Sequence, residues 1–340
     1  MNIPNDNNKN YRLNKFVEYQ NEVPPVHRKI CILYVKERKL NEKEILFFSW
    51  LMANFYHEIT SFLFFDLCRK KPDKKKFIKS FYKRNKERIQ LGSAKIKSKI
   101  RDRVLQSLIW FDEEKENRII DILKTDKTNS EKYEDIEKFI LKAPQFGRFS
   151  SDLFLEMLIT FYEKKLFRYK ILLQKKLDWK NCANLTSGVL NIIYEDKLAD
   201  DFDRKKIKTN QLKKLIPRLE KTLDIIKIEI DKKYDSNKDK SQFITKLCSF
   251  RNLFKGKRYA GYHHDRQLNY IIKYKKNFPE YDDLWKECLK FRKKCYPKRF
   301  LGELHNWRGI RPNRKKLWIE KGLTGAEKKT FNDSLNYELF

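Results

Sequence analysis

The residues best placed to act on an anion lie in LKAPQFGRFSSDLFLEML, residues 141–158. An apolar helix is predicted to end there, the short turn Pro144-Gln145-Phe146-Gly147 follows, and a second amphipathic helix starts at once. On that helix Phe149, Leu153, Met157 and Phe161 recur every fourth residue, the spacing of one apolar stripe. Gly147 has the backbone freedom of a tight turn and lets a phosphate approach closely. N–H groups at the start of the next helix form an anion site. Arg148 adds charge there, and Ser150 and Ser151 add hydroxyl donors. The same residues also read as an ordinary corner between two helices. Thr186-Ser187-Gly188 leaves a similar choice between gripping a phosphate and capping a helix.

Two further clusters could form a pocket for a base, together with Gln145 and Phe146 at the turn. In the first, Tyr262-His263-His264-Asp265-Arg266, adjacent histidines point in different directions on a helix, so a paired-histidine metal site is not expected. Asp265 and Arg266 read as a structural network, with one histidine facing DNA or solvent. The second holds Glu303, His305, Asn306, Trp307 and Arg308, next to the basic run Arg311–Lys316 that includes Arg314. Trp307 has the plane to stack on an extruded base and Asn306 the amide to read its edge. A buried tryptophan with a charged rim is the competing reading.

The elements that must position these residues follow from composition. The 340 residues are long enough to bury a substantial core, 40% are apolar and 14% aromatic, and only 9 Gly and 9 Pro interrupt them. Few turn residues and abundant Lys, Leu, Glu and Ile exclude a β-sandwich or a glycine-loop nucleotide fold and predict an all-α chain. Lys+Arg number 78 against 46 Asp+Glu, a formal charge of +32 that calls for a polyanionic partner. Double-stranded DNA is the first choice. An anionic membrane surface is the second, and a plain excess of lysine explains the cations without explaining the missing acids.

Residues 1–24 read as a polar arm, with a helix from about 25 to 39 and Asn41 as N-cap of a long core helix. The apolar stretch Ile45–Leu67 has the length of a membrane span, but His57, Glu58 and Asp66 inside it favour a buried core helix. Residues 69–103 interleave Phe77, Phe81 and Tyr82 with dense cations, of which Lys74, Lys75, Lys76, Lys83 and Arg84 are candidate phosphate contacts. Helical patterns follow over 104–142, with a break at Thr125–Ser130, and then over 148–175, 184–198 and 208–233. DSNKDK at 235–240 is the best internal linker, ahead of a C-terminal helical part at 241–340. Six cysteines without a CxxC pair or disulfide spacing fit a reducing cytoplasm, and no four-ligand Cys/His set is spaced for a metal. No cofactor is expected.

The segment 141–158 resembles the hairpin of the helix–hairpin–helix DNA glycosylases, L-P-G-V-G-x-x-T-A. Pro144, Phe146, Gly147, Ser150 and Ser151 fall on matching positions, while Gln145 replaces the first glycine. Phe149 stands where bifunctional members carry their catalytic lysine, so strand-cleaving imine chemistry is not implied. Four ordered blocks resemble a narrower group, the α-glutamyl/putrescinyl thymine pyrophosphorylase-like family, its third clade in particular. They are GRFSSDLFLE, LDWKNCANLTSGVLNI, KRYAGYHHDRQLNYI with Arg258, and RFLGELHNWRGIRPNR, and the resemblance covers roughly 25–335.

The resemblance implies a helix–hairpin–helix glycosylase-like domain spanning 25–234, with a basic helical insertion and a C-terminal extension. It also implies action on hypermodified pyrimidines of phage DNA. Members of this kind include enzymes that build such bases and anti-phage glycosylases that excise them. It places an essential aspartate after the hairpin helix, here Asp178 at a longer spacing than usual. An ionised carboxylate there would stabilise positive charge on the sugar or orient a water. Asp178 before Trp-Lys-Asn is also a good helix cap. The expected function is monofunctional base excision. A transferase in which an amine displaces pyrophosphate on the base, and a DNA-binding protein without chemistry, are the alternatives.

Overall fold

The computed structural model describes residues 12–14, 16–17, 26–92, 98–168, 177, 179, 183–234, 243–254 and 262–295. Among them the elements are helical without exception: α1 (Val26–Glu37), α2 (Glu42–Phe55), α3 (Glu58–Arg69), α4 (Lys74–Asn85), α5 (Ser98–Trp110), α6 (Glu113–Lys124) and α7 (Asn129–Ile140). After these come α8 (Arg148–Glu163), α9 (Ala183–Ile192), α10 (Asp196–Asp203), α11 (Thr209–Tyr234), α12 (Ile244–Phe254), α13 (Tyr262–Asn277) and α14 (Asp282–Cys295). The described residues contain no strand and no helix long and apolar enough to cross a membrane. Two compact units divide the chain, one of residues 27–175 and 267–295, the other of 1–26, 176–266 and 296–340. The chain thus passes between the units near residues 26, 175, 266 and 295 and not at the polar segment 235–240, which lies outside the described residues.

Local chemistry sets the helix starts of the first unit. Asn41 accepts the N–H of Glu44, whose carboxylate takes the N–H of Asn41 in return, a reciprocal box that fixes the start of α2. Thr128 and Glu131 do the same for α7, and Asp73 and Asp112 cap α4 and α6. The expected single helix over 45–67 is two helices. Tyr56 ends α2 in the left-handed region (φ 48°, ψ 40°), and the Nδ1 of buried His57 accepts the N–H of Thr60 to cap α3. A histidine N-cap after a left-handed tyrosine breaks the run without glycine or proline, so composition gave no warning of it.

Every residue from Ile45 to Phe55 is buried. Trp50 is the centre of this packing, with its ring 4.1 Å from that of Phe146 and 4.6 Å from that of Phe111, both nearly parallel to it. Its indole N–H donates to the Ser107 carbonyl at 3.1 Å. Tyr34 of α1 stacks on Phe62 of α3 at 4.1 Å and donates to Asp66 at 2.6 Å. Burial, with the Asp66 charge beside it, pushes the Tyr34 phenol well above its ordinary range. Arg38 clamps Asp66 with two nitrogens and also holds Glu287 of α14. From α13, the buried Tyr274 hydroxyl receives the Gln90 N–H at 2.9 Å and is hydrogen-bonded to the Thr60 hydroxyl. Late-coming residues thus satisfy polar groups near the start of the chain.

The second unit packs α9–α12 around Leu185, Val189, Leu219, Leu223, Leu247 and Phe250. Gly188 of α9 lies so close to α12 that an added Cβ would sit 2.8 Å from the Leu247 carbonyl oxygen, which only glycine permits. The buried Arg251 guanidinium grips Asp203 through two nitrogens at 3.0 and 2.8 Å and also bonds Asp200 and Asn191. The expectation of a polar arm over 1–24 does not hold at the described residues 12–14 and 16–17. Phe16 is fully buried in this core, and Arg12 makes a two-pronged bond to Asp196.

Candidate nucleic-acid interface

The hairpin that joins α7 to α8 is anchored from below and open above. Ala143 and Phe146 are buried, while Leu141, Lys142, Pro144, Gln145, Gly147, Arg148 and Phe149 are exposed. The Phe146 N–H closes a β-turn onto the Ala143 carbonyl at 3.2 Å, with Pro144 second and Gln145 third. Gln145 has φ 59°, the left-handed conformation that favours glycine at that position of such a turn. A left-handed L-residue costs roughly 1–2 kcal/mol. We therefore expect Gln145→Gly to stabilise the protein by roughly 1 kcal/mol, read as a higher urea midpoint at unchanged slope. A lower midpoint would show that the Gln145 side chain stabilises the turn more than the backbone strains it.

Gly147 is the N-cap of α8 at φ −85° and ψ 178°, angles open to any residue, and a Cβ there would meet nothing within 4 Å. The turn's special conformation belongs to Gln145, and Gly147 leaves open space in front of the helix. Its carbonyl accepts the N–H groups of Ser150 and Ser151 at 3.0 and 3.1 Å.

Several expected site residues are placed elsewhere. Ser150 and Ser151 are 1% and 0% exposed, so their hydroxyls cannot donate to a docked phosphate. The stripe on α8 buries Leu153, Met157 and Phe161 but leaves Phe149 exposed, because a four-residue spacing drifts round a helix of 3.6 residues per turn. Phe146 fills the core against Trp50 rather than lining an open surface. Thr186, Ser187 and Gly188 are buried inside α9, not on a turn. Thr186 donates to the Trp179 carbonyl, Ser187 donates to Asp203, and Gly188 faces Leu247. Their small size and hydroxyls serve a close helix contact, which corrects the phosphate-binding expectation.

Helix α4 is the most one-sided element. Its twelve residues carry Lys74, Lys75, Lys76, Lys79, Lys83 and Arg84 and no acid. Ile78, Phe81 and Tyr82 bury one side of it, and Phe77 stacks on Phe81 at 5.6 Å. Lys75 pairs with Asp112 at 2.7 Å and Lys74 approaches Glu116 at 4.0 Å. Lys76, Lys79, Lys83 and Arg84 are exposed and make no ion pair among the described residues. A shallow groove in the same unit, between Asn41–Lys43 and Leu166–Arg168, is lined by Lys43, Lys124, Lys165 and Arg168 together with the acids Glu42 and Asp121, and its Lys43 is paired with Glu113 at 2.8 Å. That groove had no signal beyond scattered cations.

Sequence reasoning also missed the corner beside the hairpin, formed by Tyr56 and Gly92. Gly92 donates to the Phe55 carbonyl at 2.9 Å, and an added Cβ would lie 2.2 Å from the Tyr56 carbonyl oxygen. The available signal was that no other glycine precedes Gly147 in the chain. Asp178, Arg258, Glu303, His305, Asn306, Trp307, Arg308, Arg311 and Arg314 lie outside the described residues. His263, His264 and Asp265 fall in the first turn of α13, and their side chains are likewise outside the description; Arg266 follows them, half-buried.

Fold and surface together define an all-α protein with a helix–turn–helix hairpin and an acid-free cationic helix. Neither a family model, a curated protein nor a solved structure matches the chain.

Proposed function

We propose that this protein is a DNA-binding enzyme of the helix–hairpin–helix glycosylase type that excises a modified pyrimidine without cleaving the strand. The observation that carries the reading is the hairpin at 141–149. Gln145 adopts the left-handed backbone where the resembling pattern has glycine, and a Cβ on Gly147 at the start of α8 would meet no described atom within 4 Å. A helix start left open in this way suits a DNA phosphate. The cations of α4 supply the sequence-independent part of the affinity, since phosphate neutralisation releases counterions. Asp178 is the proposed catalytic carboxylate, stabilising charge that develops on the sugar as the glycosidic bond breaks. The base pocket would draw on the 262–266 and 303–308 clusters.

Two measurements test this. The logarithm of the DNA binding constant should fall steeply with the logarithm of salt, by roughly 0.9 per phosphate neutralised. Converting Lys76, Lys83 and Arg84 to glutamate should flatten that slope by about 2–3. None of these cations makes an ion pair among the described residues, so the change reports DNA contacts rather than broken ion pairs. A slope near zero for the unaltered protein removes nucleic acid from the account. Incubation with phage DNA carrying modified pyrimidines, followed by hot alkali, should reveal abasic sites. Release of pyrophosphate instead would assign the chain to base synthesis.

A further inference from the structure

Two of the large apolar side chains most exposed to solvent sit at the two ends of the hairpin, Leu141 at 44% and Phe149 at 45%. The Phe149 ring is not loose. It meets the Tyr56 ring edge-on, with centroids 5.2 Å apart and planes at 85°. Tyr56 is itself held in an uncommon conformation, left-handed at φ 48°, which for a bulky residue needs surrounding structure to maintain it. Gly92 provides that structure by packing its backbone against Tyr56, where a Cβ would lie 2.7 Å from the ring. Three unusual features, a left-handed tyrosine, an obligatory glycine and an exposed phenylalanine, thus converge on one corner. The hairpin beside it, residues 141–149, carries Lys142 and Arg148 and no acid.

We propose that Phe149, braced by Tyr56, stacks on an unpaired nucleobase of the bound DNA while the neighbouring cations hold its phosphates. This rests on the DNA-binding reading above and adds a residue and a substrate feature to it. An aromatic face gains from any base once that base has left its own stack, and the cations fix the backbone to either side. A ligand with both a flat π-face and regular negative charge matches the corner. A protein partner would match its apolar part alone.

The test compares a fully paired duplex with one carrying a single unpaired 2-aminopurine. The unaltered protein should bind the second more tightly and quench its fluorescence. Phe149→Ala should lose roughly ten- to hundredfold in affinity for the unpaired duplex, the range for removing one base–aromatic stack. Its affinity for the paired duplex, its salt slope and its helical circular dichroism should not change. Phe149→Trp should keep the preference and the quenching. The inference is overturned if Phe149→Ala retains the preference, or loses affinity for both duplexes equally. In either case steep salt dependence would leave DNA binding itself standing. A protein with no salt-dependent binding to either duplex would remove both readings together.

Discussion

Asp178→Asn is expected to leave DNA affinity nearly unchanged and to lower turnover by roughly two to four orders of magnitude, the range for losing an acid–base or electrostatic group. Asparagine keeps the size and much of the hydrogen bonding of aspartate and removes only the charge, so it isolates charge stabilisation. If Asp178 merely capped a helix, asparagine would substitute well, since both rank among the best caps. Full activity in Asp178→Asn therefore sinks the assignment. Phe149 bears on the same chemistry. With no amine at that position the reaction should leave an intact abasic strand, and borohydride should trap no protein–DNA adduct. Efficient trapping would reveal an amine nucleophile elsewhere, on a lysine or the chain's N-terminus, and end the monofunctional mechanism.

Trp50→Ala is expected to be the most damaging single change to the fold, destabilising it by about 3–5 kcal/mol. The side chain is fully buried between Phe111 and Phe146, and its removal also leaves the Ser107 carbonyl without its donor. Against a total stability of about 5–15 kcal/mol, a large part of the margin is lost. Trp50→Phe should lose less, keeping the stack and giving up the hydrogen bond. Because Phe146 anchors the hairpin through Trp50, the alanine variant should also weaken DNA binding at temperatures where it remains folded. Denaturant midpoints for both variants, with circular dichroism, check the order. A Trp50→Ala protein as stable as the unaltered one would show that the ring stack contributes little.

How much of this the sequence revealed depended on whether the governing interaction was local. Asn41 and Glu44 lie within one turn of each other, so the start of α2 was readable, as was the amphipathic pairing of Phe77 with Phe81 on α4. The hairpin was readable as a turn between two helices because Pro144 and Gly147 punctuate it. The break at Tyr56–His57 was not, since it depends on Gly92 packing from another part of the chain. Thr186-Ser187-Gly188 misled for a related reason. Small hydroxyl residues and glycine suit both a phosphate loop and a tight helix crossing, and only Leu247, some sixty residues on, decides for the crossing. Periodicity likewise put Phe149 in the buried stripe, because a four-residue repeat winds slowly round the helix and its first member need not share the buried face of the rest.

The first unit is assembled from two separated stretches, with residues 176–266 between them. Tyr274, Phe278 and Trp285 belong to the same core as Trp50 and Phe62, and the Tyr274 hydroxyl receives the Gln90 N–H. On the ribosome this core cannot close when residue 175 has been made. It must wait for 91 more residues, the span 176–266, before its last helices begin to appear. At about 5–20 residues per second that is on the order of ten seconds of nascent chain with an unsealed aromatic interior. Such an interval is long enough for chaperones to bind. Substitutions that slow closure should therefore reduce the yield of newly made protein more than they reduce the stability of the finished one.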